Sequence, residues 1–408
     1  MKLVFTYACA CALAATAPAW AQDPDPDPED AGRPAVDIHG FVSEGAFVST
    51  ANDYIGKSSR GSLELFEVAL NASSEVADRL RVGVQLFARD VGDFDDASPR
   101  IDWAFLDYRW RPWLGIRAGV IKMPFGLYAE YADIDSARTA ILMPQGVYPV
   151  RNREATLAHR GFTLYGSRTL GGAGELEYQA WLGTLSVPDN ALTLSGSTLE
   201  TVDTKYVAGA QAYWHPPVDG LRFGATFARA SIDFYLRFSE ATVAAAIVAG
   251  IVPPDFDGSI VVSQRPITLA IGSVEYSHDD WLFAAEYSRV RTRQNTTLPS
   301  VFPTTTTDSE AFYGLVTRRL SRWLELGGYY SVTHPNVDDR RGKKLEAPQR
   351  YFAFQRDLAA SVRFDVNAHW LWKLEGHFIH GTSDLVAADN PDPEPYWGLV
   401  LLKTTVTF

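Results

Sequence analysis

One stretch of the sequence, residues 123–159, collects acids and bases in a way that could act on passing charge. It holds Glu130, Asp133, Asp135, Arg138, Arg151, Arg153 and Glu154, with Lys122 just before it and Arg160 just after. Mixed carboxylates and guanidinium groups on one long connection can set up a local field, which is the chemistry of an ion-selective constriction. Residue patterns for bond-making chemistry are missing. There is no Gly-x-Ser-x-Gly elbow and no His-Glu-x-x-His pair. His369, His377 and His380 lie close together, but a period of two puts His369 and His377 on one face and His380 on the other, a poor metal site. The two cysteines, Cys9 and Cys11, sit in an apolar N-terminal run, so thiolate chemistry, disulfides and Cys-bound metal are not expected beyond it. No catalytic residue, metal or cofactor is assigned, and the expectation is a protein that is not an enzyme.

A second set of charges is spread over β-prone segments. These run 36–49, 61–74, 80–89, 100–110, 114–122, 160–170, 174–187, 206–215, 220–236, 266–278, 280–293, 310–321, 323–334, 352–365, 369–381 and 396–408. Most alternate. In 80–89 one face reads Leu80, Val82, Val84, Leu86, and the other Arg81, Gly83, Gln85, Phe87, Arg89. In 369–381, Trp370, Trp372, Leu374 and Phe378 oppose Lys373, Glu375 and His377. The breaks between segments alternate strictly between short and long. The long ones are 50–60, 90–99, 123–159, 188–205, 237–265, 294–309, 335–351 and 382–395. This is the layout of a transmembrane antiparallel up-and-down β-barrel of about sixteen strands, with short turns at one end and long loops at the other.

Parity then directs Arg81, Arg89, Arg117, Arg222, Arg363, Lys373 and Lys403 into the lumen, with Glu177, Glu325, Asp357, Asp365 and Glu375 as acidic counterparts. An arginine on the lipid side at mid-depth costs roughly 2–4 kcal/mol. Two readings stand for these groups: they set a transverse field in a watery pore, or they pair with one another and hold the loops. Trp113, Trp281, Trp323, Trp370 and Tyr396-Trp397 fall near segment ends, where aromatic girdles meet the membrane interface.

Composition agrees. The chain has 37 Lys+Arg against 49 Asp+Glu, a net charge of −12, which argues against nucleic acid as a partner. Mean hydropathy is only −0.10 despite 12% aromatic residues. No window after residue 21 offers the ~18 apolar residues of a spanning helix, so a membrane protein of this composition has to be a barrel. Residues 1–21 read as a cleaved signal peptide, with Lys2, an apolar run and Ala19-Trp20-Ala21. Residues 22–35, with repeated Asp-Pro, read as a solvated acidic linker. The barrel is expected to occupy 36–408. The apolar run Ala241–Val252, inside the fifth long loop, is expected to pack against its own barrel as a short helix or hairpin; the alternative is an apolar lid or a contact with a neighbouring barrel.

Three short motifs carry a family resemblance. The last segment ends on Phe408, resembling the terminal strand of outer-membrane proteins. Ile38-His39-Gly40-Phe41 resembles the first strand of Gram-negative porins. Arg117-Ala118-Gly119-Val120-Ile121-Lys122-Met123-Pro124-Phe125-Gly126 is similar to the fifth strand and following loop of phosphate-selective (O/P-type) and dicarboxylate-type porins. The resemblance implies a homotrimer of sixteen-stranded barrels in the outer membrane, with the long third loop, 123–159, folded into each pore. It implies outer-membrane lipid, lipopolysaccharide and the barrel-assembly machinery as partners, the last reading Phe408, and passive diffusion of small hydrophilic or anionic solutes. A channel selective for organic acids or phosphate-like anions is the alternative, and an outer-membrane barrel enzyme the alternative of another class. Only seven lysines follow residue 21, so lysine-based phosphate selectivity is not carried over.

Overall fold

The computed structural model describes residues 35–92, 97–153, 157–186, 196–347 and 349–408. The expected signal peptide, nearly all of the Asp-Pro linker, and Glu154 lie outside the described residues. Val36–Phe408 forms one compact unit. Sixteen strands follow in chain order: β1 Val36–Ser49, β2 Leu65–Ala77, β3 Leu80–Val91, β4 Arg100–Arg111, β5 Leu114–Lys122, β6 Ala158–Thr169, β7 Glu175–Leu185, β8 Ser197–His215, β9 Leu221–Phe238, β10 Ser259–His278, β11 Trp281–Thr296, β12 Thr305–Ser321, β13 Leu324–His334, β14 Gln355–Asp365, β15 Trp370–Gly381 and β16 Tyr396–Thr407. Each pairs antiparallel with its sequence neighbours, and β1 closes on β16 from Phe41↔Thr407 to Ser49↔Leu399. Closure leaves no open edge, the condition for a sheet in lipid. No helix of the described residues is long and apolar enough to span a membrane.

Every expected segment is a strand, and β8, β10 and β12 are longer than expected by five residues or more. β8 to β12 run 19, 18, 20, 16 and 17 residues, because much of 197–205, 237–238, 259–265, 294–296 and 305–309 continues the sheet. Polar Thr, Ser and Asp in these stretches resemble loop. Between them lie Ile232, Phe234, Leu236, Ile260 and Val262, which meet in one inward-facing cluster and hold the tall wall together beyond the apolar band.

The alternation holds. Leu70, Leu86, Leu106, Phe162, Leu182, Phe227, Leu358, Phe378 and Val400 are exposed on the outer face. Ser43, Glu67, Gln85, Thr226, Glu286, Asp357 and Glu375 are buried on the inner one. Trp113, Trp281, Trp323 and Trp370 stand outward near the short turns, Trp281 stacked on Phe283 at 5.6 Å and Trp323 on Phe364 at 5.8 Å. Trp397 departs from the girdle. It turns inward, 2% exposed, donates Nε1–H to the Gly381 carbonyl and meets Tyr54 edge-on at 5.2 Å. One residue along the strand, Tyr396 keeps the outward position and stacks on His380 at 4.2 Å.

The apolar run after β9 also departs from expectation. Ser239 caps a helix, α1 (Glu240–Val248), accepting from the Thr242 N–H. The Ala-rich segment is helical as its composition favours, yet none of its residues is buried and Val248 is 89% exposed. Beyond the helix, Val252 is the buried residue of the run.

Candidate functional site: a loop fastened across the lumen

The connection between β5 and β6 spans residues 123–157; Ala158 and His159 belong to β6. Its anchors trace a double traverse of the barrel. Pro124 and Phe125 lead into Gly126, whose φ of +58° suits glycine. A Cβ there would meet the Tyr148 hydroxyl at 2.5 Å and a Glu286 oxygen at 2.8 Å. The Gly126 carbonyl accepts from Gln211 Nε2 (2.9 Å) and Tyr213 Oη (2.5 Å), on β8. Leu127 N donates to Glu286 of β11 at 2.8 Å, and Tyr128 Oη donates to Glu275 of β10 at 2.6 Å. Tyr148, Tyr313 (2.7 Å) and Ser273 (2.5 Å) also donate to Glu286. Met123, Phe125, Ala129, Met143 and Val147 pack here with Trp181, Ala228, Ile271 and Tyr313.

The opposite attachment is ionic. Lys373 of β15 reaches Asp135 at 3.0 Å and donates to its backbone carbonyl at 2.6 Å. Lys403 of β16 lies 3.4 Å from Asp135 and is paired with Glu67 of β2. Thr405 completes the shell at 2.8 Å. Burial works to raise the Asp135 carboxyl, and the two ammonium groups with Arg138 outweigh it, holding it far below the ordinary carboxylate range. Glu375 of β15 accepts from the Ile141 N–H at 2.7 Å and the Leu142 N–H at 2.8 Å. Behind it, His377 has Glu375 on Nε2 and both Asp357 oxygens on Nδ1, all at 3.0 Å. Only the imidazolium can donate on both sides.

A third anchor faces β4 and β5. Lys122 binds Asp133 at 2.7 and 3.0 Å, and Arg153 bridges Asp133 (3.0 Å) to Asp102 (2.9 Å) while its guanidinium lies 4.0 Å from the centre of the Phe87 ring. Burial opposes ionisation of Asp133 too, and Lys122 and Arg153 again prevail, keeping it well below the usual range.

The expected constriction residues thus fall into different settings. Asp133, Asp135 and Arg153 are interior, bound to Lys122, Lys373 and Asp102. Arg138 donates to the Ala140 carbonyl at 2.9 Å and to that of Ile141. Arg151 is exposed and donates to the Asp384 carbonyl in the last long loop, at 2.8 Å. The Glu130 carbonyl accepts from Lys122 at 3.1 Å. Arg160 stands outward on β6, in the parity of the exposed Phe162 and Leu164. Of the residues assigned to the lumen by parity, Arg81 binds Ser73, Arg89 the Val150 carbonyl, Arg117 Asp107, Arg222 Glu275, and Arg363 both Asp365 and the Ser136 carbonyl.

Several anchors are additional to the sequence reading, Glu286, Glu275, Glu67 and Asp102 among the carboxylates. Glu286 was legible from the outward run Trp281, Phe283, Tyr287, which forces it inward. Asp102 was not, because a register shift opposite Gln85–Leu86 sets its direction. Two of the cavities around the loop are similar in size. One of about 300 Å³ is lined by Glu130, Glu177, Gln179, Gln211, Tyr213 and Arg222. The other, about 270 Å³, has Arg138, Arg319, Arg363 and Glu325 as its charged lining, with Tyr128 and Tyr329.

No protein-family model matches the chain, and no curated protein matches it in sequence. Solved structures do match. An anion-selective porin from Comamonas acidovorans superposes with a TM-score of 0.56 at 10% identity, covering 92% of this chain and 100% of that one. The outer membrane channel DcaP of Acinetobacter baumannii gives 0.55 at 13%, covering 93% and 98%. Salmonella typhi OmpF gives 0.54 at 13%, covering 91% and 97%. This chain shares their fold. At these identities the likeness is one of architecture, extending over the whole described barrel.

Proposed function

We infer that the protein is an outer-membrane porin, a channel for passive diffusion of small hydrophilic solutes, with segment 123–157 as its constriction. The observation that carries this is the fastening of that segment to strands around the circumference, with polar cavities left beside it. Such a loop narrows a lumen without closing it, and fixed charges on low-dielectric walls act on a passing ion more strongly than in bulk water. The sharing of fold with proteins described as porins and channels supports the reading. Homotrimer formation and recognition of Phe408 during assembly belong to the same proposal. Phe408 exchanges backbone hydrogen bonds with Gly40 at 2.9 and 3.0 Å, so the last residue helps seal the closing seam. An enzymatic role has no constellation among the described residues to support it.

A second reading is favoured by one cavity. Three guanidinium groups, Arg138, Arg319 and Arg363, stand there against Glu325 and Asp365, which pair with Arg319 and Arg363, and the one positive charge in excess suits an organic anion such as a small carboxylate. Single-channel recording on the purified protein tests both. An open, ohmic conductance is expected, and its absence sinks the channel. Arg138→Ala is expected to shift the reversal potential in a salt gradient toward cations; no shift removes the anion reading while leaving the channel.

A further inference from the structure

From the level of segment 123–157 toward the short turns, the inner wall of β3 to β6 carries a strip of flat rings that the channel reading does not use. Arg81, Gly83 and Gln85 share the inward face of β3, since Gln85 donates to the buried Asp102 and Arg81 to Ser73. A Cβ on Gly83 would meet Trp103 at 3.0 Å and Phe105 at 3.2 Å, so both rings of β4 lie over its backbone. They stack on each other at 5.3 Å, with planes 23° apart. The Arg117 guanidinium of β5 follows, 4.8 Å from the centre of the Phe105 ring and 5.3 Å from that of Tyr165. Tyr165 of β6 in turn lies over Gly115, where a Cβ would meet its ring at 2.4 Å. Glycine inside a strand marks a place of close approach. Here two of them let three half-buried rings lie along the lumen wall instead of standing out into it.

The strip runs into a cavity of about 590 Å³ at the short-turn mouth, lined by Glu75, Arg79, Arg81, Asp107, Arg109 and Arg111, with Tyr165 common to both. Asp107 is taken up by the strip itself, by Arg117 at 2.9 Å and the Tyr165 hydroxyl at 2.5 Å. Glu75 stands in register with Arg81, and Asp78 lies 3.5 Å from Arg79. Arg109 and Arg111 remain as positive charge in excess. The wall therefore presents apolar ring faces, guanidinium donors and carboxylate acceptors side by side. A plain carboxylate would use the donors alone. Hydroxyl groups both give and take hydrogen bonds, so they use donors and acceptors together. The apolar face of a sugar ring rests on an aromatic face, and a carboxylate on that ring meets the excess guanidinium charge.

We propose that this wall is a binding site for sugar acids, polyhydroxylated six-membered rings bearing one carboxylate, separate from the Arg138 cavity. The site rests on the porin reading for its supply of solute, but it is read by binding and not by conductance. The test titrates the full chain, folded in detergent, with D-galacturonate, D-galactose and benzoate, and reads dissociation constants by ligand-observed NMR. D-galacturonate is expected to bind at least fivefold more tightly than either of the others. Phe105→Leu is expected to weaken D-galacturonate and D-galactose alike, by at least threefold. Arg109→Gln is expected to weaken D-galacturonate by at least threefold and to leave D-galactose unchanged. Arg109 is exposed at the mouth, so this second variant carries the test should Phe105→Leu fold poorly. Arg168→Gln, exposed on β6 in the outward parity of Phe162 and Leu164, changes neither. D-galactose or benzoate bound as tightly as D-galacturonate, or an Arg109→Gln variant that binds like the parent, overturns the proposal. A closed channel with this discrimination intact refutes the porin reading and leaves the site standing.

Discussion

The two traverses of segment 123–157 end in very different company. Toward β8–β11 the chain is held by phenols, amides and hydroxyls converging on Gly126 and the carboxylates Glu286 and Glu275. Toward β15 and β16 it is held by full charges, with Asp135, Lys373 and Lys403 at 1%, 1% and 2% exposure. The two kinds of anchor differ in what they cost to break. A neutral hydrogen bond contributes about 1 kcal/mol net, and several add up gradually. A buried ion pair forms at little net gain, yet removing one partner strands the other and costs about 3–5 kcal/mol. The tyrosine side therefore tolerates adjustment, and the ionic side fixes register.

The sharpest way to break that contrast is Asp135→Ala. It leaves the Lys373 ammonium, wholly enclosed, without its carboxylate, and Lys403 with Glu67 only. The expected cost is about 3–5 kcal/mol, read as lost hydrogen-exchange protection at Ile141 and Leu142 and as a larger, noisier conductance. Unchanged exchange at both amides would show that the ionic anchor does not hold the loop.

His377→Leu comes next. It removes the cation standing between Asp357 and Glu375, so Glu375 keeps only Ser361 and the two loop amides. Loosening is expected at residues 141–142 but not at 126–128, at a cost of order 2–3 kcal/mol. If exchange rises equally at both places, the two anchors are one cooperative unit and the contrast fails.

On the neutral side the expected effect is smaller. Tyr148→Phe deletes one donor to Glu286 while Tyr313, Ser273 and Leu127 N remain. About 1 kcal/mol is expected, with conductance within about twofold of the parent by the same measure. A loss as large as that of Asp135→Ala would erase the distinction between a tolerant and a rigid side.

The sequence made one half of this comparison easier to see than the other. Alternation alone placed Lys373, Glu375, Asp357 and Arg363 inside, because Trp372, Leu374 and Phe378 have to face lipid. The length of 123–159 singled the loop out, since connections beyond ~12–15 residues rarely lack a role. Which charges meet was not readable. Asp135 finds partners some 240 to 270 residues away through barrel closure, a relation that period-two patterning does not encode. For the same reason Arg153 and Asp133 looked like pore-lining charges, whereas with Lys122 and Asp102 they form an interior clamp. The tall wall was missed because its upper pairs are Thr, Ser and Asp, and only the buried Ile232, Phe234 and Ile260 disclose a sheet.

The weakest attachment of the segment is Arg151, which leaves the barrel interior and donates to the backbone of Asp384. That makes the last long loop a fourth and adjustable support. The Asp384 carboxyl is drawn out of water, with Ser383 (3.1 Å) and Arg151 only partly offsetting the loss, and it is pushed up to about 6. A free aspartate titrates near 3.9, so the closed loop binds the proton more tightly than the open one. The stabilisation this gives is complete below about pH 4 and disappears as pH rises through about 6. Partial exposure keeps it near 1 kcal/mol or below. Limited proteolysis within 382–395 is therefore expected to be slower at pH 5 than at pH 7.5, by about two- to fivefold. Asp384→Asn, which mimics the protonated group, should be slow at both values and flat between them. A pH step of the same size in that variant would assign the effect to another group and leave Arg151 as a passive contact.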